Sequence, residues 1–157
     1  MQPPTLNDLK KELVFLPPAE LVNICLRLAK FKKENKELLG YLLFDSNYEP
    51  EYINKVKADI DRLFSEINRS NVYFAKKSIR KILRTTNKYI RYSGLKRTEV
   101  ELLIYFSAKL KRSGIFLNSS TALTNLYASQ IQKIRKAVSG LHEDLQHDYN
   151  EEIKKLG

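Results

Sequence analysis

TEVELLIYFSAKLKRS, residues 98–113, decides the fold. Val100, Leu102, Leu103, Ile104, Tyr105, Phe106, Ala108 and Leu110 leave hardly any side of a helix polar, which a helix tolerates only where neighbours cover most of its circumference. The stretch therefore predicts the central helix of an all-α assembly. Thr98 and Glu101 read as a capping box, the hydroxyl accepting from the first turn while the carboxylate reaches back, and Ser113-Gly114 reads as the stop.

Outward from this core, the periodicity predicts helices on both sides. Immediately upstream, Asn71 caps a helix that runs to about Tyr92 before Ser93-Gly94 ends it. Before that, Glu51 to Asn68 carries Ile53, Val56, Ile60, Leu63, Phe64 and Ile67 on one side. At the start of the chain, Thr5 and Asp8 open a helix that Pro17-Pro18 closes. A second helix begins at Pro18 or Ala19, places Leu21, Ile24, Cys25, Leu28 and Phe31 at helical spacing, and continues or bends through Asn35 towards Leu43. Asp45-Ser46-Asn47 is a turn. Downstream of the core helix, a loop from Ile115 to Ser119 precedes Leu123, Tyr127, Ile131, Ile134, Val138, Leu141, Leu145 and Tyr149, which alternate steps of four and three. That pattern predicts one long C-terminal helix, about 55 Å if unbroken to Leu156, with Gly140 its weakest point at about 1 kcal/mol relative to Ala. The elements assemble most simply as an antiparallel bundle of about six helices in a single domain over 1–157. A short solenoid of stacked helix hairpins is the alternative, although no recurring residue pattern marks one.

Composition narrows the class. With 43% hydrophobic and 29% charged residues and only five Gly and five Pro, the chain fits a helical globular protein better than a disordered one. No apolar run approaches the roughly 18–20 residues needed to span a bilayer, and Met1 to Leu16 lacks the features of a secretory signal. Cys25 is the only cysteine, so no internal disulfide forms, and a cytoplasmic location is the expectation. Set among Leu21, Ile24 and Leu28, Cys25 reads as a buried structural thiol.

Charge is distributed far less evenly than composition. Residues 1–70 hold 11 basic and 11 acidic side chains, and residues 98–157 hold 8 and 7. Between them, Lys76, Lys77, Arg80, Lys81, Arg84, Lys88, Arg91, Lys96 and Arg97 occur without a single acid, so 71–97 supplies nearly all of the net +10. At about 100° per residue, Lys77, Arg80, Lys81, Arg84, Lys88 and Arg91 fall within an arc of about 100°, opposite Val72, Ala75, Ile79, Ile82, Leu83 and Ile90. Tyr73 points near the cations, with Phe74 and Tyr92 on a flank. Such a face suits phosphate, and rings beside Arg and Lys suit unpaired bases, so nucleic acid is the leading candidate partner. An acidic protein or an anionic membrane surface would meet the same charge. A solvated face, or one covered by Glu143, Asp144, Asp148, Glu151 and Glu152 folding back, is the plainer explanation. Without a zinc-finger spacing or a glycine-rich phosphate loop, contacts to nucleic acid are expected at the backbone.

Signatures of catalysis are thin, and the reading leans to a non-enzymatic binding or scaffold protein with no cofactor, metal or small-molecule ligand. His142-Glu143 and His147 do not make a zinc helix, because the two histidines stand five apart, about 140° around the axis. Glu34 and Glu37 form an ExxE pair similar to the first half of the magnesium site in all-helical nucleoside-triphosphate pyrophosphohydrolases. The ExxD half is missing, since Val56 and Ala58 precede Asp59 and Asp61 by three. That enzyme remains one alternative. Another is a structural protein that homo-oligomerises through the C-terminal stripe.

The segments YFAKKSIRKILR (Tyr73 to Arg84), TEVELLIYF (Thr98 to Phe106) and LHEDLQHDY (Leu141 to Tyr149) resemble those of a family of small, all-helical, uncharacterised bacterial proteins, over most of the chain. The resemblance implies a stand-alone bacterial domain and no particular activity.

Overall fold

Thr5 Oγ1 accepts from the Asp8 N–H at 3.2 Å, the Asp8 carboxylate accepts from the Thr5 N–H at 3.1 Å, and the first helix, α1 (Leu6–Leu13), starts on that reciprocal cap. The computed structural model describes residues 1–115 and 117–157; Phe116, within the loop expected from Ile115 to Ser119, lies outside the described residues. The chain forms two compact units, Met1–Phe44 and Asp45–Gly157.

In the first unit, α2 (Pro18–Phe31) follows Pro17 and opens on Pro18, where a missing N–H costs nothing. Lys32 takes an extended backbone, so the run bends and a separate α3 (Lys33–Gly40) packs back on α2. Asn35 Nδ2 donates to the Leu28 carbonyl at 2.8 Å and fastens the bend. Tyr41, which begins a π-helical turn to Asp45, is the one buried residue of this unit, and Phe15 and Phe31 are 85% and 79% exposed. Cys25 is exposed, not buried as its neighbours suggested. Two packed helices shield one side of each, and Cys25 lines an apolar groove of about 210 Å³ with Leu28, Leu38 and Leu42.

The second unit is a bundle of α4 (Glu49–Ser65), α5 (Val72–Ser93), α6 (Lys96–Arg112), α7 (Thr121–Ser139) and α8 (Glu143–Leu156), with a 3-10 turn at Leu117–Ser119. No strand occurs among the described residues. α6 is the centre that its all-round apolarity predicted, packing on α4, α5, α7 and α8. Val100, Leu102, Leu103, Phe106 and Leu110 are essentially inaccessible to water. A solenoid repeat touches only its sequence neighbours, so one helix against four others makes a bundle.

Two local expectations give way to tertiary packing. Helix α6 begins at Lys96, two residues before the expected cap, because Gly94 (φ +70°) ends α5 and Leu95 already turns the chain. Thr98 therefore lies inside the helix, fully buried, and its hydroxyl donates to Glu49 Oε1 at 2.6 Å, as Ser93 does, tying the start of α4 to the α5–α6 corner. The long C-terminal helix is in fact two. Gly140 and Leu141 N–H groups turn back to the Ala137 and Val138 carbonyls, His142 Nδ1 accepts from the Asp144 N–H to cap α8, and Gln146 Nε2 donates to the Leu141 carbonyl. The break lets α8 fold onto α6 and α7, where Tyr149, Ile153 and Leu156 join one core with Val100, Leu103, Ile131, Ile134 and Val138. The stripe expected to offer an oligomer contact is thus largely occupied inside the chain. No described helix is long and apolar enough to cross a membrane.

A candidate nucleic-acid interface on α5

Asn71 Oδ1 accepts from the Phe74 N–H at 3.1 Å to open α5, and the Gly94 N–H closes it on the Ile90 carbonyl at 2.9 Å. Between these caps Ala75, Ile79, Ile82 and Thr86 are buried, and they fix which side of the helix faces water. Lys77, Arg80, Lys81, Arg84 and Arg91 are exposed on the other side, and Tyr73 with them. The Lys77 ammonium stands 4.7 Å over the Tyr73 ring. Lys88 is half-buried, 5.2 Å over the Tyr89 ring, so it contributes less to the open face than its place on the arc suggested.

Several cations of the flanking helices are paired within the fold, whereas Lys111 and Arg112 of α6 meet no carboxylate among the described residues. Lys55 meets Asp45 at 2.8 Å, Lys57 meets Glu101 at 3.4 Å, and Lys109 meets Asp61 at 2.9 Å. Lys96 pairs with Glu99 at 3.2 Å and Arg97 with Glu101 at 3.6 Å, which removes both from the basic block read in the sequence. Among the described residues no ion pair reaches Lys77, Arg80, Lys81, Arg84 or Arg91. The acids of α8 are elsewhere: α8 packs on α6 and α7, Asp144 lies 3.5 Å from His142, Glu151 pairs with Lys154, and Asp148 and Glu152 line a cleft beside α6. They do not fold back over α5 as an ion-paired cover.

That cleft, about 570 Å³ between α6 and α8, was not foreseen. Tyr149 OH donates to Glu101 Oε1 at 3.0 Å and accepts from Arg97 Nε at 3.3 Å, so Glu101 holds Lys57, Arg97 and Tyr149 together. Burial pushes the Tyr149 phenol up, with Arg97 opposing and Glu101 adding to the shift. Tyr105 donates to both oxygens of Asp61 at 2.7 and 2.8 Å, and burial together with that carboxylate pushes its phenol up to about 12. Burial alone would raise Asp61, but hydrogen bonds from Lys109 and Tyr105 outweigh it and hold the carboxyl below its usual range. The network is largely self-satisfied.

The remaining sequence candidates are dispersed. Glu37 pairs with Lys33 at 3.7 Å, Asp59 with Arg62, and Asp61 with Lys109, so these carboxylates neutralise cations. His142 is a helix cap, and no group of three or more His, Cys, Asp or Glu side chains is placed to hold a metal among the described residues. No protein-family model, curated protein or solved structure matches the chain. The geometry therefore defines the protein only to class: a helical bundle with a cationic face along α5.

Proposed function

We propose that the chain is a non-enzymatic nucleic-acid-binding protein that engages phosphates through the cationic face of α5. The observation that carries this reading is the concentration of unpaired charge: Lys77, Arg80, Lys81, Arg84 and Arg91 stand exposed along one side of α5 with no ion pair among the described residues, whereas Lys55, Lys57, Lys96, Arg97 and Lys109 on α4 and α6 meet carboxylates. Like charges three and four apart repel by a few tenths of a kcal/mol per pair, a cost that phosphates laid along the helix would relieve. From Lys77 to Arg91 the face runs about 21 Å, the length of about six base-pair steps. An anionic membrane is less well matched. A helix that lies in a bilayer surface needs its apolar side for insertion, and α5 spends Ile79 and Ile82 on the core.

Titration of a labelled oligonucleotide with the full chain tests the proposal. If five cations each neutralise a phosphate, log K falls against log salt with a slope of about −3.5 on a single strand and about −4.5 on a duplex. Arg80→Glu with Arg84→Glu should weaken binding and flatten that slope. No binding at low salt, or displacement by an acidic polypeptide at equal charge concentration, would refute it.

A further inference from the structure

Tyr73 and Phe74 are the aromatic residues of α5 that the fold leaves most open, 56% and 46% exposed, at the N-terminal end of the cationic face. Their rings meet edge to face with centroids 5.5 Å apart, and the Lys77 ammonium sits on Tyr73. At about 100° per residue, Tyr73 falls within about 20° of Arg80, Arg84 and Arg91, so ring and guanidinium groups share one line along the helix. Most other described rings of this unit are used inside it, where Phe64 packs on Phe106 and Tyr52, Tyr105, Tyr127 and Tyr149 donate hydrogen bonds within the fold; Tyr48, 64% exposed just before α4, is the exception and lies off the cationic helix.

A duplex shows a surface helix its phosphates and groove edges, and keeps the faces of its bases stacked inside. The Tyr73 hydroxyl can donate to a phosphate, but the faces of the two rings add nothing to phosphate contacts. An unpaired base, in contrast, offers a π-face of matching size to a Tyr that a neighbouring cation already polarises. We infer that α5 is a single-strand site: one base stacks on Tyr73, Phe74 buttresses that ring edge-on, and Arg80, Arg84 and Arg91 follow the phosphates from there. The inference rests on the nucleic-acid function proposed above and adds the class of strand. From Tyr73 to Arg91 the line spans about 27 Å, enough for several nucleotides.

The test compares one labelled sequence as a single strand and as a hairpin duplex, at matched low salt, by fluorescence anisotropy with the full chain. The single strand should bind more tightly than the duplex. Tyr73→Ala should raise its Kd by about 5- to 150-fold, the range for losing one stacked base, while leaving the salt slope and the duplex Kd unchanged. Tyr73→Phe, which keeps a ring, should restore single-strand affinity and thereby exclude a folding defect. Equal affinity for both forms, indifferent to Tyr73→Ala, overturns the single-strand inference and leaves phosphate binding standing. Binding of neither form overturns both, as does binding to vesicles of anionic phospholipid but not to either oligonucleotide.

Discussion

Replacing Gly140 by Ala should leave α7 and α8 separate, although residues 121–156 carry an almost continuous helical pattern. Folding α8 back buries Tyr149, Ile153 and Leu156, which are 7%, 3% and 6% exposed. At about 1.5–3 kcal/mol per large apolar side chain, that burial is worth about 5–9 kcal/mol as an upper estimate. Against it stand the backbone hydrogen bonds lost at the corner, each about 1 kcal/mol net, several of which are replaced by the Leu141 N–H to Val138, the His142 cap and Gln146. Alanine in place of Gly140 favours a continuous helix by only about 1 kcal/mol, too little to reverse the balance. Gly140 also has φ −89°, and an added Cβ would meet only the Ala137 carbonyl oxygen at 3.5 Å, so the substitution fits the corner as it stands. Gly140→Ala should therefore change unfolding free energy by less than about 1 kcal/mol. Ile153→Ala should cost about 2–5 kcal/mol. Urea denaturation followed by circular dichroism measures both, and small-angle scattering reports the shape. A fused helix would extend about 54 Å, so a lengthened Gly140→Ala particle would show that the glycine, not the packing of α8, breaks the helix. A near-neutral Ile153→Ala would refute the burial argument directly.

Two further outcomes follow from single side chains. Because the Tyr105 phenol titrates near 12 in the folded chain and near 10 when unfolded, the folded state holds its proton more tightly between those values, so stability should fall as pH rises from 10 to 12. Tyr105→Phe should make that fall shallower in denaturant titrations, and an unchanged slope would show that the Tyr105 phenol is not the group whose proton the fold holds. Cys25, exposed on α2, should react fully with a thiol reagent in the native protein, and protection until denaturant is added would contradict its position.

The parts of the fold legible in the sequence are those specified locally or by composition around a helix. Asn71 and Gly94 delimit α5 through their own side chain and backbone, and α6 declares itself central because no side of it is polar. The misreadings arise where a distant partner decides. Thr98 and Glu101 have capping-box spacing, yet Glu49, 49 residues from Thr98, takes the hydroxyl, and Glu101 is taken up by Lys57, Arg97 and Tyr149. Likewise, the heptad-like stripe of the C-terminal region is right about which residues are buried and silent about the corner at 140–142, because a folded-back pair and a straight helix bury the same positions. The cleft between α6 and α8 depends entirely on that corner.

For the basic block, a count of cations merged two populations that the structure separates, and the separation was present in the spacing. Lys96 has Glu99 three residues on and Arg97 has Glu101 four residues on, the intervals at which side chains meet on a helix, and both pairs form. No cation from Lys76 to Arg91 has an acid three or four residues away in either direction. A charge that its own helix cannot neutralise must be met by another element, by solvent or by a partner. Packing α5 through Ala75, Ile79 and Ile82 turns the arc away from the core, and directing α8 onto α6 and α7 keeps the acids of the C-terminal region from pairing with it. The absence of acids at helical spacing is therefore the sequence feature that separates the cations from Lys76 to Arg91 from Lys96 and Arg97, and exposure in the fold then picks out Lys77, Arg80, Lys81, Arg84 and Arg91 as the ones for charge reversal.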